Sequence, residues 1–185
     1  FEAVCLHEWF EIVNIELLER LLRASEPLAR SYATRVVGRW HDRLQKPLEY
    51  LQNSVTDPHP RVRLEAVVAA SQLQSTEAME TAVLILNSPT DRFLEAALRQ
   101  CAHALQRWWF TSLKEGQLAI EDTQHLAFLL SQTSGQDAAS IARNLLEDPI
   151  LKPTSPAFPV LATILATQGS VGDLDWLVTK AHDDP

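Results

Sequence analysis

Few side chains in this 185-residue chain could do chemistry, and their spacing decides against most of it. His59 stands between Pro58 and Pro60. A histidine works as a base or metal ligand in company, and no second His, Cys or carboxylate lies at ligand spacing on the same helix. It reads as a turn residue that caps or packs locally. Glu65 and Glu95 recur thirty residues apart. Paired carboxylates can share acid–base work, but carboxylates repeated on stacked helices read more simply as structural partners of Arg63, Arg92 and Arg99. Cys5 and Cys101 belong to neither a C-x-x-C nor a C-x-x-C-H pattern. Both fall in apolar helical patterns and read as small buried hydrophobes; a disulfide between them would join the first and third helical units. No catalytic residue, metal ligand or cofactor-binding residue is expected in this segment.

Binding chemistry is better represented. Trp40-His41-Asp42-Arg43 ends a helix that also carries Arg30, Arg35 and Arg39. Trp and Arg are common interface anchors, which makes Arg35, Arg39, Trp40 and Arg43 a candidate interaction surface. The competing reading puts Trp40 in the core and pairs the arginines with Asp57, Glu65 and nearby acids. Internal neutralisation of Arg35, Arg39 and Arg43 would remove the main support for the patch. Trp108-Trp109-Phe110 is the second cluster. Adjacent helical residues point about 100° apart, so Trp108 and Trp109 do not share one core pocket; the cluster is either an interface or an irregular core.

The elements that must position these residues are helices. The clearest is Asp57–Leu73. Asp57 can cap a backbone N–H, and Pro60 suits a first helical turn. At helical spacing Val62, Ala66, Ala69, Ala70 and Leu73 share one face, and Leu64, Val67 and Val68 fall roughly opposite. A helix with two apolar faces must be covered on both sides. Small alanines on the main face let a neighbouring helix approach closely.

Along the chain, helices are expected over residues 1–12, with Phe1, Val4, Cys5, Trp9 and Ile12 apolar and His7 and Glu8 outward, then 15–24 and 28–43. Gly38 either weakens the last of these or admits a close neighbour. Further helices follow Pro47, run over about 77–87, and extend from Arg92 to Trp108, with Thr111–Ile120 as a less regular insertion. Residues 122–132, 138–146, 157–167 and 172–182 complete the helical set, and Asp183–Pro185 forms an exit segment. Leu64-Glu65-Ala66 recurs as Leu94-Glu95-Ala96, and Ala29–Ala33 aligns with Val62–Ala66 thirty-three residues on. Paired helices at this period imply a solenoid, in which each unit buries its face against its neighbours.

Composition agrees: 46% apolar, 22% charged, five Gly and two Tyr in a chain long enough to bury a substantial core. A net charge of −8 argues against a nucleic-acid surface, which needs a basic face; the Arg-rich helices predict a locally positive strip within an acidic protein. Neither a signal peptide nor a membrane span is visible. The chain begins with Phe1, in what reads as helix interior, so a longer parent polypeptide is expected.

The paired-helix period, the turn prolines and Val62-Arg63-Leu64-Glu65-Ala66 resemble the HEAT-repeat family, most clearly over residues 15–106 and more divergently over 111–185. That resemblance implies one all-α domain over 1–185, a right-handed α-solenoid of about five helical pairs. It also implies an Asp/Arg ladder through Asp57, Arg63 and Asp91. Ala33–Trp40 followed by Asp57–Ala66, with Leu6-His7-Glu8 ahead of them, is similar to the HEAT segment of large secreted multidomain proteins of planctomycetes and verrucomicrobia. Those carry a dehydrogenase-like β-propeller before the segment and a c-type haem domain after it. The resemblance implies a non-catalytic scaffold with no cofactor of its own, extracytoplasmic, whose partners are flanking domains or a separate protein. A stand-alone protein-binding adaptor is the alternative. HEAT-like lyases and glycosylases form a third class; the acidic charge speaks against the glycosylases.

Overall fold

The computed structural model describes residues 2–10 and 12–183, with residues 181–183 described by their backbone alone. Expectations for Phe1 and for the exit residues Asp184 and Pro185 lie outside the described residues. Among the described residues the secondary structure is entirely helical. The chain divides into two compact units, Phe1–Leu118 and Ala119–Pro185.

The first unit contains α1 (Glu2–Trp9), α2 (Ile15–Leu22), α3 (Pro27–Arg39), α4 (Pro47–Ser54), α5 (Pro60–Ala70), α6 (Thr76–Val83), α7 (Arg92–Ala104) and α8 (Gln106–Lys114). A 3-10 turn, Leu84–Asn87, extends α6. Local sequence explains the starts. Pro27, Pro47 and Pro60 open α3, α4 and α5, where a missing N–H costs nothing. Asn14 Oδ1 accepts from the Leu17 N–H at 3.0 Å, and Ser75 Oγ from the Ala78 N–H at 3.2 Å. The helices stack in two layers: α3, α5 and α7 pack in succession, as do α4, α6 and α8. α2 rests on α3, α4 on α5 and α6 on α7.

α5 is the central element, flanked by α3 and α7. Val62, Ala66, Ala69 and Ala70 are buried, as the sequence pattern requires. The opposite face is covered in part: Val67 is buried and Leu64 half-buried, whereas Val68 is 42% exposed. The close approach falls at Gly38. A Cβ built there would lie 2.9 Å from both Cα and Cβ of Ala69. Of the two expectations for this glycine, close approach is the one realised.

Two expected elements differ. The first helix ends at Trp9, before the periodic face is complete. Val4 is buried, but Trp9 is 83% and Ile12 55% exposed. Glu8 faces inward rather than outward: its carboxylate accepts from the Tyr32 hydroxyl and pairs with Arg39. The second correction is the helix expected to run from Arg92 to Trp108. It breaks at Leu105, and the stretch read in part as an insertion opens as α8, packed on α6. Trp109 Nε1 donates to the Ala102 carbonyl at 2.8 Å and fixes this corner, which contains neither Gly nor Pro.

The second unit contains α9 (Thr123–Ser131), α10 (Gln136–Glu147), α11 (Ala157–Gln168) and α12 (Val171–Asp183). α11 packs against the other three, and Leu129, Leu130, Ala142, Leu161 and Leu165 are buried. The turn into α10 uses Gly135 at φ 111°, a conformation open to glycine. Gln168 clamps that turn, accepting from the Gly135 N–H at 3.0 Å and donating to the Thr133 carbonyl at 3.3 Å.

Gly38→Ala tests the contact between α3 and α5. Helix propensity alone would stabilise the variant by about 1 kcal/mol. The overlap with the Ala69 backbone is expected to outweigh it, giving a net loss of about 1–3 kcal/mol. Urea denaturation followed by circular dichroism checks the sign.

Candidate interaction surface

Each member of the arginine patch has an acidic neighbour. Arg35 Nε and Nη2 donate to the two Glu65 carboxylate oxygens at 3.2 and 2.8 Å. Glu65, itself 6% exposed, also pairs with Arg61 at 3.0 Å. Its partners are therefore Arg35, as the competing reading of the patch has it, and Arg61, rather than Arg63, Arg92 and Arg99. Arg39 pairs with Glu8, and Arg43 lies 3.6 Å from Asp42 in the turn after α3. Glu65 and Glu8 are inward-facing acids, so Arg35 and Arg39 are neutralised internally, whereas Asp42 beside Arg43 is 67% exposed and the condition for the patch to lose its main support is met only in part. Trp40 corrects the patch further: at 1% exposure it is core and has no surface to offer. The reason is position, because Trp40 caps α3 with its N–H still bonded to the Val36 carbonyl and so shares that helix's inward face.

The second aromatic cluster divides as helical geometry requires. Trp109 is fully buried, which removes it from any interface, while Trp108 is half-buried under the Arg107 guanidinium at 4.3 Å. Of the residues proposed for recognition, Arg35, Arg39, Arg43 and Trp108 keep accessible surface. Among the more exposed apolar side chains are Leu6, Trp9, Phe10 and Ile12, Leu28, Phe93 and Ile150, and Val171, Leu174 and Val178 of α12. The spacing of that last set gives one stripe along the helix.

The expected ladder exists in altered form. Arg30, fourth residue of α3, donates to both Asp57 oxygens at 2.8 and 3.0 Å and to the Ala24 and Ser25 carbonyls of its own turn. Arg63, fourth residue of α5, repeats the plan. It donates to the Asp57 and Pro58 carbonyls of its own turn and to the Pro89 carbonyl of the next turn at 2.9 Å. Asp91 is not its partner. Asp91 Oδ1 instead caps α7, accepting from the Phe93 and Leu94 N–H groups at 2.8 and 2.9 Å. Arg30 was the ladder member that sequence reasoning missed, although its alignment with Arg63 already marked it. The second unit has a comparable tie between Arg143 and Asp173 at 2.7 Å, again missed.

The electrostatics follow from these contacts. Burial alone would raise the Asp57 carboxyl, but the Arg30 guanidinium and the His59 N–H together hold it below its ordinary value. His59 Nδ1 accepts from the Arg61 N–H at 3.2 Å, the capping role expected of it. The Ser170 hydroxyl and the Arg143 guanidinium hold Asp173 down at about 2. Both cysteines are free thiols. Burial pushes the Cys101 thiol up to about 12, whereas Cys5 is half-buried. Among the described residues no His, Cys, Asp and Glu side chains gather in a group of three or more that could hold a metal ion, and no helix is long and apolar enough to cross a membrane.

Two expectations can be measured. Asp57→Asn keeps an acceptor for the His59 N–H but removes the charge facing Arg30. It is expected to cost about 2–3 kcal/mol at neutral pH. Because the folded Asp57 pKa is depressed, that stability is present above the unfolded value of about 3.9 and disappears as pH falls through the lower folded value. Urea midpoints of the two proteins should therefore converge in acid. With iodoacetamide at pH 8, Cys5 should be alkylated in the native protein and Cys101 spared until denaturant is added, as read by peptide mass spectrometry.

No curated protein matches the chain. Residues 15–102, from the first residue of α2 to near the end of α7, match the family of HEAT repeats, so the stacked pairs of that stretch are repeats of a helical solenoid.

Proposed function

We propose that this chain is a non-catalytic interaction scaffold that holds flanking domains or a protein partner at fixed separation. The observation that carries this reading is the cross-repeat bonding. Arg30 and Arg63 each tie their own turn to the next one, which fixes successive repeats relative to one another within the first unit. A scaffold needs rigid spacing, and a repeat array gains it from nearest-neighbour contacts. The Arg35–Glu65 pair adds a second tie between α3 and α5.

The finer setting rests on the resemblance of Ala33–Trp40 and Asp57–Ala66 to HEAT segments of secreted multidomain redox proteins. In that setting the segment separates a dehydrogenase-like domain from a c-type haem domain, outside the cytoplasm. The redox chemistry belongs to those domains. The free-standing adaptor stays as the second reading, favoured by the exposed apolar side chains Trp9 and Phe10, at 83% and 67% exposure, which suit contact with a separate protein.

The test is a visible spectrum of the dithionite-reduced full-length parent, purified from its source. A sharp low-spin c-type haem band is expected. A featureless spectrum counts against the haem-containing parent and moves the function to the adaptor. Cross-linking mass spectrometry on the same preparation then asks whether flanking domains lie against this segment, as the scaffold requires.

A further inference from the structure

The arginines of α3 and α5 face acids: Arg30, Arg35, Arg39 and Arg61 each meet a carboxylate. α7 differs. Arg92 and Arg99 on this helix, and Arg107 just beyond it on α8, are exposed, and none has an acidic partner among the described residues. At about 100° per residue, Arg92, Arg99 and His103 fall within about 40° of one another. That face is turned from the core, since Leu94, Leu98, Cys101 and Ala102 are the buried residues of α7. The acids nearest in sequence are engaged. Asp91 caps the helix, and Glu95, which flanks the stripe, accepts from the Thr90 hydroxyl at 3.3 Å.

Two of the three guanidinium groups are positioned without using their donors. Arg92 lies over the Phe93 ring at 4.6 Å and Arg107 over the Trp108 ring at 4.3 Å. Stacking on an aromatic face fixes the guanidinium plane and leaves its N–H groups for a carboxylate. At the end of α7 the stripe reaches an open pocket of about 420 Å³ in the corner with α8. His103, Arg107 and Phe110 line it, and the rest of its lining, Ala104, Gln106 and Thr111, is uncharged. Lys114 Nζ lies 5.4 Å from the centre of the Phe110 ring.

Resting on the scaffold reading, we propose that this face docks an acidic segment of a protein partner, with carboxylates on Arg92, Arg99 and Arg107 and an apolar residue against Phe110 in the corner pocket. The sign of the charge selects the occupant first. An apolar or basic segment would cover three guanidinium groups without compensating them, whereas a carboxylate gives each a bidentate partner. Length selects next. The stripe runs about 16 Å from Arg92 to His103, which a short peptide segment covers. A nucleic acid extends its charge well beyond that, along a chain whose net charge is −8. At physiological salt the Debye length is about 8 Å, so a short acidic segment feels the arginines beside it more than the distant acids of the chain.

The probe is a fluorescein-labelled peptide of about twelve residues, Glu and Asp around one central Trp, measured by anisotropy against the full chain at about 0.15 M salt. A Lys peptide of the same pattern and a single-stranded oligothymidine of equal length are its counterparts. Saturable binding of the acidic peptide is expected, with the Lys peptide at least about tenfold weaker. Arg99→Glu and Arg107→Glu should each weaken it about tenfold, and Ala in place of the peptide's Trp should weaken it about threefold. Arg20→Glu on α2 changes the net charge equally at another exposed arginine and should leave binding unchanged. Circular dichroism of each variant confirms the fold. No binding of the acidic peptide, equal losses from Arg20→Glu and Arg99→Glu, an affinity indifferent to the peptide's Trp, or tighter binding of the oligonucleotide overturns the proposal; the last would make this face a nucleic-acid surface. Cross-links from flanking domains to other faces would sustain the scaffold reading even then, so the two fail separately.

Discussion

A guanidinium group carries five N–H donors fixed in one plane, and the first unit spends that geometry on tying turns together. Arg30 and Arg63 stand at the fourth position of their helices, close enough to their own turn to satisfy its carbonyls and long enough to reach the next. Those carbonyls belong to turn residues that have no intrahelical partner, so the arginine answers an accounting demand and sets the repeat spacing at once. The two sites are not equal. Arg30 meets a carboxylate, so its partly buried charge is compensated. Arg63 is 6% exposed and meets carbonyl oxygens, with its Nε lacking a hydrogen-bond partner. Partial charges of three carbonyls offset such a cation less well than a bidentate carboxylate. The second rung is accordingly the weaker one.

The same tie shapes the rest of the unit. With α3 and α5 held by these contacts, only a residue without a side chain fits between them, which places Gly38 opposite Ala69. On the other edge α2 and α4 meet through the Tyr50 hydroxyl, which donates to Glu19 at 2.7 Å, and they flank an open cleft of about 740 Å³. Glu65 is buried by the same approach, and burial of a carboxylate requires paired cations, which Arg35 and Arg61 supply. What reads in the sequence as an arginine patch is therefore in large part the compensation for a tight helix contact.

The helical character and the central role of α5 were legible because they rest on local periodicity and residue size; the close approach at Gly38 was one of two readings that a glycine there allowed. Several things were not legible. Leu64-Glu65-Ala66 and Leu94-Glu95-Ala96 match letter for letter, yet the N-caps Glu26, His59 and Asp91 fall thirty-three and then thirty-two residues apart. In that register Glu95 is the counterpart of Arg63, not of Glu65, and it is exposed, accepting from the Thr90 hydroxyl at 3.3 Å. The corner at Leu105 carries no breaker residue; it is held by an indole N–H bonded seven residues away, a contact no local pattern encodes. Trp40 and Trp109 were ambiguous for a different reason. Aromatic side chains are favoured in cores and at interfaces alike, so residue type alone does not choose between them.

The replacement of arginine by Glu95 at the fourth position of α7 also explains where the regular repeats stop. A glutamate cannot donate to turn carbonyls, so α7 has no means of fixing a further turn by this device. The chain bends instead at Leu105, and α8 continues the α4–α6 layer without a ladder arginine. The second unit reaches a similar end by a different route. Arg143 lies deep in α10 rather than at its start, and it ties to Asp173, which also accepts from the Ser170 N–H at the start of α12. One side chain thus serves as helix cap and as partner of a distant arginine, much as Asp57 serves both His59 and Arg30. The shared element is an aspartate at or just before a helix start that accepts from both a backbone N–H and an arginine, through a shared Oδ1 at Asp57 and through separate oxygens at Asp173, and it recurs where the arginine's position along its helix does not. For a solenoid whose later repeats have drifted, the turn aspartate is the more durable marker of a repeat boundary.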